Sequence, residues 1–392
     1  MLSVSLSRRK FLKPLAASAV ALALAACEPL PTTSRGPGWD PTKPVPVALL
    51  LPAGSGNAGD DILARDLKQA ADMAIADLSG TVDIDLRVYD AGADPSLAAQ
   101  MASQAVADGA VIILGPVFGD SANAAGAAVK GQGVNVLSFS NNTDIAGGNV
   151  FVLGPTFQNA AQRLTGYAAR QGKGNILIAQ DKTPQGDLGG RAISRAAAAS
   201  GAKIVGTVPY EFSGPGVTAA IPTIVATARS SGAQSLFFTA DSAGALPLLA
   251  ETLPQAGLGP TSIQYAGLTR WDIPPATLSL PGLQGGWFAL PDPGLNTAFQ
   301  SRFTAKYGNL PHPIAGLAYD GVAAIGALVK SGQPNPFSGA ALTQGAGYVG
   351  VNGIFRLMGD GTNQRGLAIA QIQNGSYTIV DPAPRSFGGA GF

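Results

Sequence analysis

Of the side chains that most often attack, shuttle protons or hold transition metals, the 392 residues contain one histidine and one cysteine. A lone Cys makes a disulfide within the chain impossible, and with a lone His it excludes zinc sites built on clusters of the two. His312 stands between Pro311 and Pro313, a turn in which nothing nearby in sequence orients it as a general base. The inventory disfavours an enzyme, and neither cofactor nor metal is expected. What remains is the chemistry of recognition. Ser138, Ser140, Asn141, Asn142 and Thr143 crowd one stretch, and short hydroxyl and amide groups beside helix N-termini suit anions such as a carboxylate, or simply cap helices and form turns. Ser55 sits in Gly54-Ser55-Gly56-Asn57-Ala58-Gly59, which matches the spacing of a dinucleotide fingerprint; Asp90, ending the next strand, is the one candidate ribose partner, so nucleotide binding is the weaker reading.

The elements that position these groups alternate. Val45 to Leu51 is a short apolar run that reads as a buried strand, and Leu63, Leu67, Ala70, Ala74 and Leu78 form one stripe of a helix starting at Asp60 or Asp61. Strands follow over 82–90, 110–114 and 135–139, with a helix from Pro95 capped by Asp94 and another over 121–130. The rhythm restarts after Gly154-Pro155, with helices over 159–170, 188–200, 217–230 and 243–255 and strands over 175–180, 203–209, 235–239 and 263–266. A strand over 285–290, helices over 296–307 and 316–330, a Pro/Gly link over 333–339 and an apolar run over 349–356 come next, and Asn374-Gly375 between two apolar runs signals a hairpin. Strands alternating with helices imply parallel sheets covered on both faces, and two doubly wound Rossmann-like lobes fit this many strands better than one sheet.

In such sheets ligands sit beyond the carboxyl ends of strands. The loops to watch are 52–59, 115–121 with Phe118, 138–144, and 181–190 with Gln185. Tyr265, Trp271, Trp287 and Phe288 concentrate beside strand ends, either lining a cleft or filling a core.

Composition agrees with a folded body: 46% hydrophobic residues and 12% charged. Four basic residues and no acidic ones lie in the first 26; of 25 basic residues this leaves 21 against 24 acidic in the remainder, no footprint for nucleic acid. Arg8-Arg9 with its flank resembles a twin-arginine export signal, and the apolar run from Pro14 to Ala26 is short for a membrane span. It ends Leu24-Ala25-Ala26-Cys27, which resembles the lipobox of bacterial lipoproteins. The expectation is a signal peptide over 1–27, lipid on Cys27, a Pro-rich tether over 28–44, and a periplasmic body attached to a membrane of the cell envelope. Trp39 in the tether packs either on the body or near the membrane.

The layout also resembles the type I periplasmic binding proteins of the leucine/isoleucine/valine-binding family. The resemblance is carried by Val47-Ala-Leu-Leu-Leu-Pro-Ala-Gly54, Val88-Tyr-Asp90, Ile112-Ile-Leu-Gly-Pro116, Gln180-Asp181 with Gly186, Ala318-Tyr-Asp-Gly321 and Val349-Gly-Val-Asn-Gly353. It implies two lobes joined by a hinge of three crossings, and a small polar, amino-acid-like ligand closed between them for an ABC permease. The first lobe would take 45–154 and about 291–333, the second 155–290 and about 346–382, with crossings near Gly154-Pro155, Pro291-Asp-Pro293 and Gln333-Pro334. Where the family's amino-acid binders have an Ala-Thr or Ser-Thr pair, this chain has Asn141-Asn142. Gln185 replaces the Tyr before the second-lobe Gly, and Gln284 stands near the acidic partner of the ligand ammonium. Tyr265-Ala-Gly-Leu-Thr-Arg-Trp-Asp272, Gly285-Gly-Trp-Phe-Ala-Leu-Pro291 and Ala315-Gly-Leu-Ala-Tyr-Asp320 are similar to the branch of penicillin-binding protein activator lipoproteins, which implies the alternative of contact with a peptidoglycan synthase.

Overall fold

A computed structural model describes residues 38–388. Arg8, Arg9, Cys27 and the tether up to residue 37 lie outside the described residues. The first lobe begins with β1 (Val45–Leu51), α1 (Ala58–Leu78), β2 (Ile84–Asp90), α2 (Pro95–Ala107), β3 (Ile112–Leu114), α3 (Gly119–Val129), β4 (Asn135–Ser138) and β5 (Val150–Val152). Its five strands are parallel in the order β2-β1-β3-β4-β5. The second lobe runs through α4 (Phe157–Arg170), β6 (Asn175–Asp181), α5 (Pro184–Ser200), β7 (Lys203–Tyr210), α6 (Gly214–Ser231), β8 (Ser235–Phe238), α7 (Leu246–Gln255), β9 (Gln264–Gly267) and β10 (Trp287–Leu290). The chain then returns to the first lobe with α8 (Pro293–Tyr307), α9 (Gly316–Lys330), α10 (Gly339–Leu342) and the antiparallel trio β11 (Tyr348–Gly350), β12 (Gly353–Leu357) and β13 (Asn363–Arg365). β14 (Ala368–Gln373) and β15 (Ser376–Asp381) close a seven-stranded second sheet, ordered β15-β14-β10-β9-β8-β6-β7.

Local chemistry sets these boundaries. Asn57 caps α1 by accepting from the Gly59 amide, so the helix starts at Ala58, two or three residues before the expected Asp60 or Asp61. Asp94 accepts from Ser96 and Leu97 ahead of Pro95, as its spacing predicts. Asn374 and Gly375 both take positive φ, 52° and 71°, the conformation a tight two-residue hairpin requires. β5 had no sequence signal: three residues hidden between two turns are too short to show a period.

Each sheet is covered on both faces. Leu63, Leu67 and Ala70 of α1 join Phe299 and Phe303 of α8 and Val322 and Ile325 of α9 on one face of the first sheet, and Ala98, Ala102, Ala125 and Val129 pack the other. In the second lobe α6 and α7 cover one face and α4 and α5 the other. Trp39 docks on the body: its ring lies 6.0 Å from that of Phe337, and its Nε1 donates to the Lys43 and Pro44 carbonyls.

Three crossings join the lobes, between β5 and α4, β10 and α8, and β13 and β14. The third therefore lies near Arg365–Leu367. The link at Gln333-Pro334 instead stays with the first lobe, because Phe337 is buried in that core and its carbonyl accepts from Asn135 Nδ2 at 2.6 Å. Likewise Tyr348, Val351, Phe355 and Leu357, within the stretch expected in the second lobe from about 346, pack into the first-lobe core. Buried side chains lace the crossings together. Arg365 donates to the Leu153 carbonyl from the first crossing and pairs with Asp320 Oδ2 at 3.0 Å. Asp320, fully buried, also accepts from the Val351 amide at 2.8 Å and from Asn352 Nδ2 at 3.1 Å. Asn363 Nδ2 bridges the Val152 and Gly154 carbonyls at 2.8 Å each.

Asp320→Ala would leave the Arg365 cation buried without its counter-charge. It should lower unfolding free energy by about 3–5 kcal/mol, read as a shifted urea midpoint. Lys68→Ala, which removes an exposed helical pair with Asp72, should cost under about 0.5 kcal/mol.

Candidate functional site

A cavity of about 290 Å³ lies where the crossings meet. Its walls come from both lobes and all three crossings: Asn141 after β4, Pro155–Phe157 at the first crossing, Leu268–Arg270 after β9, Leu290 and Pro291 at the second, Ile314 and Leu317 around the start of α9, and Asn352, Arg365 and Leu367 toward the third. A wider groove of about 740 Å³ runs between Thr143, Asp144, Asp360 and Thr362 on one side and α5 on the other. It is open, and Arg191 and Arg195 face solvent there beside Asp144, Asp187 and Asp360, the character of solvated surface. The smaller cavity is the candidate site, since it alone is bordered by every segment that a hinge would bend.

The polar loop after β4 is consumed largely by its own turns. Ser138 Oγ donates to the Pro116 carbonyl at 3.0 Å and accepts from the Ser140 amide; Ser140 Oγ accepts from Asn142, and Asn142 Oδ1 from Asp144. Only Asn141 of that group is exposed and reaches the cavity wall. The loop also abuts Gly154 at the first crossing, where a Cβ would overlap the Ser140 carbonyl. Thr156 and Asn159 form a reciprocal cap that starts α4 and sets Phe157 against the cavity.

The other expected positions fall elsewhere. Ser55 Oγ donates to Asp60 Oδ2 at 2.7 Å, and the Gly54 amide is held by Asp61. The N-terminus of α1 thus already carries two carboxylates, and a pyrophosphate there would meet repulsion, which removes the physical basis of the dinucleotide reading. Phe118 is half-buried at the start of α3, and Gln185 is exposed in the first turn of α5; neither borders the cavity. Tyr265 is fully buried, its hydroxyl donating to the Leu258 carbonyl and its ring edge-on to Phe238, and burial pushes its pKa upward. Trp287 packs edge-on to Tyr167 at 4.7 Å. Gln284 donates to the Leu278 and Leu280 carbonyls and accepts from Gly375, tying a loop to the hairpin. These three are core and scaffold, so the aromatic segment fills a core.

The residues that do line the cavity from that segment are Leu268, Thr269 and Arg270, immediately beyond β9, and Ile273 a little further on. The strand-end rule applied to the second lobe's last parallel strands points at them. Arg270 donates through Nε to Asp272 Oδ1 at 2.6 Å and through Nη2 to Oδ2, which fixes the guanidinium plane.

His312 leads into Pro313 and Ile314 on the cavity wall. Its amide donates to Asp66 Oδ2 at 2.8 Å. Burial holds its pKa below the ordinary 6.5, with the Asp66 charge opposing. The unfolded chain therefore takes up the proton first as pH falls below about 6.5, and stability is lost from there toward the lower folded value. Urea midpoints measured at about pH 7.5 and 5.5 should show that His312→Gln flattens this part of the pH dependence.

A sequence profile described as periplasmic binding protein matches residues 44–376. No curated protein sequence matches the chain. Among solved structures, a putative branched-chain amino acid ABC transporter from Rhodospirillum rubrum superposes with a TM-score of 0.71 at 19% identity, covering 86% of this chain and 100% of that one. An ABC transporter substrate-binding protein from Desulfitobacterium hafniense, in complex with Leu, gives 0.64 at 18% over 86% and 100%. An ABC transporter solute binding protein from Rhodopseudomonas palustris, in complex with 3,4-dihydroxy benzoic acid, gives 0.58 at 17% over 86% and 98%. At these identities the likeness is one of fold, two lobes included.

Proposed function

The chain belongs to the periplasmic binding protein family, and on that premise we propose that it is a receptor for one small solute, held in the cavity at the crossings and delivered to an ABC-type membrane transporter. The observation that carries this reading is the cavity's position. Both lobes and all three crossings line it, so bending the crossings changes its volume, and a solute that touches both walls favours the closed state by its extra contacts there. Its volume lies at the small end of ligand pockets, which suits a compact solute. The neighbours of the same fold hold Leu in one case and 3,4-dihydroxy benzoic acid in another, so this architecture accepts solutes with and without an ammonium group.

The location that goes with this function is the periplasm. Cys27, directly after Leu24-Ala25-Ala26, supplies the lipid anchor, and the basic start with Arg8-Arg9 supplies the export address. Among the described residues no helix is long and apolar enough to cross a membrane.

A thermal-shift panel of amino acids, short peptides, amides, sugars, aromatic acids and muropeptides tests the receptor reading. A solute at about 100 times its Kd should add about 2.7 kcal/mol to stability, and Asn141→Trp, a bulky group on an exposed position of the cavity wall, should abolish the shift. A flat response across the panel would overturn the assignment and turn the search to a peptidoglycan synthase as protein partner.

A further inference from the structure

The charges around the cavity narrow the solute, a step that rests on the receptor reading. We infer that the solute is a small monocarboxylate with an apolar, ring-sized body, its carboxylate received by Arg270.

No Asp or Glu is among the residues lining the cavity. An ammonium group closed inside would lose its hydration with no carboxylate to face, a cost of several kcal/mol. Amino acids, whose recognition uses such a partner, fit this lining poorly. The two cations in the wall are unlike each other. Arg365 is buried, pairs with Asp320 and spends both Nε and Nη2 on the Leu153 carbonyl, so it is structural. Arg270 is about one-third exposed, and Asp272 takes only its Nε and Nη2 edge. Its Nη1 makes no hydrogen bond among the described residues, and Asp272, largely but not fully buried, holds the guanidinium in one orientation. That is a pre-set donor with charge, directed by a partner on the far edge. The hydroxyl of Thr269 and the amide of Asn141 stand in the same wall and serve as neutral partners for ring substituents.

The remaining surface is mostly apolar, Phe157, Leu268, Ile273, Ile314 and Leu317, beside Thr156, which caps α4, and Asn352, which donates to Asp320. Such walls reward a flat or branched hydrocarbon body and reject a sugar, whose hydroxyls would go unpaired. Ile273 is 38% exposed at the edge of the cavity, an apolar side chain left in water that a bound apolar body would cover.

Isothermal titration of the purified full-length protein with four probes separates the possibilities. Benzoate and 3,4-dihydroxybenzoate should bind. Benzamide, with the same ring and no charge, should bind at least tenfold more weakly, and L-leucine should not bind measurably. Arg270→Gln should reduce benzoate affinity tenfold or more, and Arg270→Lys should restore part of it. The benzoate–benzamide comparison uses the unaltered protein, so it stands even if an Arg270 variant folds poorly. Equal affinities for benzoate and benzamide, or L-leucine binding that is lost in Asn141→Trp but kept in Arg270→Gln, would overturn the monocarboxylate class while leaving the receptor intact. Silence from these probes together with the wider panel would overturn both.

Discussion

The fold turns on one buried ion pair. Arg365 and Asp320 sit where the crossings converge, and between them they satisfy groups from different parts of the chain: the Leu153 carbonyl at the end of the first sheet, the Val351 amide in the turn between β11 and β12, and the side-chain amide of Asn352 beside the second crossing. Burying two charges is costly, and the arrangement repays this only because their remaining hydrogen-bond capacity is nearly filled by those groups. The geometry this imposes is specific. Three chain segments that are far apart in sequence are held in one bundle, and the cavity is the space their bending points leave. A hydrophobic replacement could pack the same volume, but would not dictate which carbonyl meets which strand.

This concentration of order at the crossings explains the division of labour in the site. The polar residues of the first-lobe loop hold the loop, and Asn141 alone is left over for a solute. In the second lobe Asp181 does comparable work, accepting from the Thr183 and Thr239 hydroxyls to fix the start of α5. What lines the cavity is then mostly apolar surface, with a few donors, among them Arg270, whose direction Asp272 sets.

Much of the architecture was legible in the residues. Short apolar runs flanked by Gly and Pro marked the parallel strands, since a strand buried on both faces shows a continuous run with no alternation. Caps were legible because Asp94 and the Asn374-Gly375 turn act within a few residues. What escaped is what depends on distant partners. The Pro/Gly link at 333–339 looked like a crossing, but Phe337 sinks into the first-lobe core, and no local signal distinguishes a link that leaves a lobe from one that folds back onto it. The true third crossing is made of Arg365 and its neighbours, in a sequence that reads as ordinary strand. The site was half legible for the same reason: the strand-end rule located the loop after β4 but was not carried to the end of β9, and which side chains turn inward depends on packing. Trp271 is drawn into the core against Phe238 and Phe288, while Arg270 beside it faces the cavity.

The docking of Trp39 has a mechanical consequence. The chain enters the body at the start of β1, the end of the first sheet remote from the cavity, and Trp39 is seated there against Phe337. β1 lies inside the sheet, bonded on one side to β2 and on the other to β3. A pull on the preceding chain is therefore taken up in shear by two rows of backbone hydrogen bonds within one lobe, and no part of that load passes through the crossings. A leash attached at that point holds the body in place while leaving the second lobe free to swing.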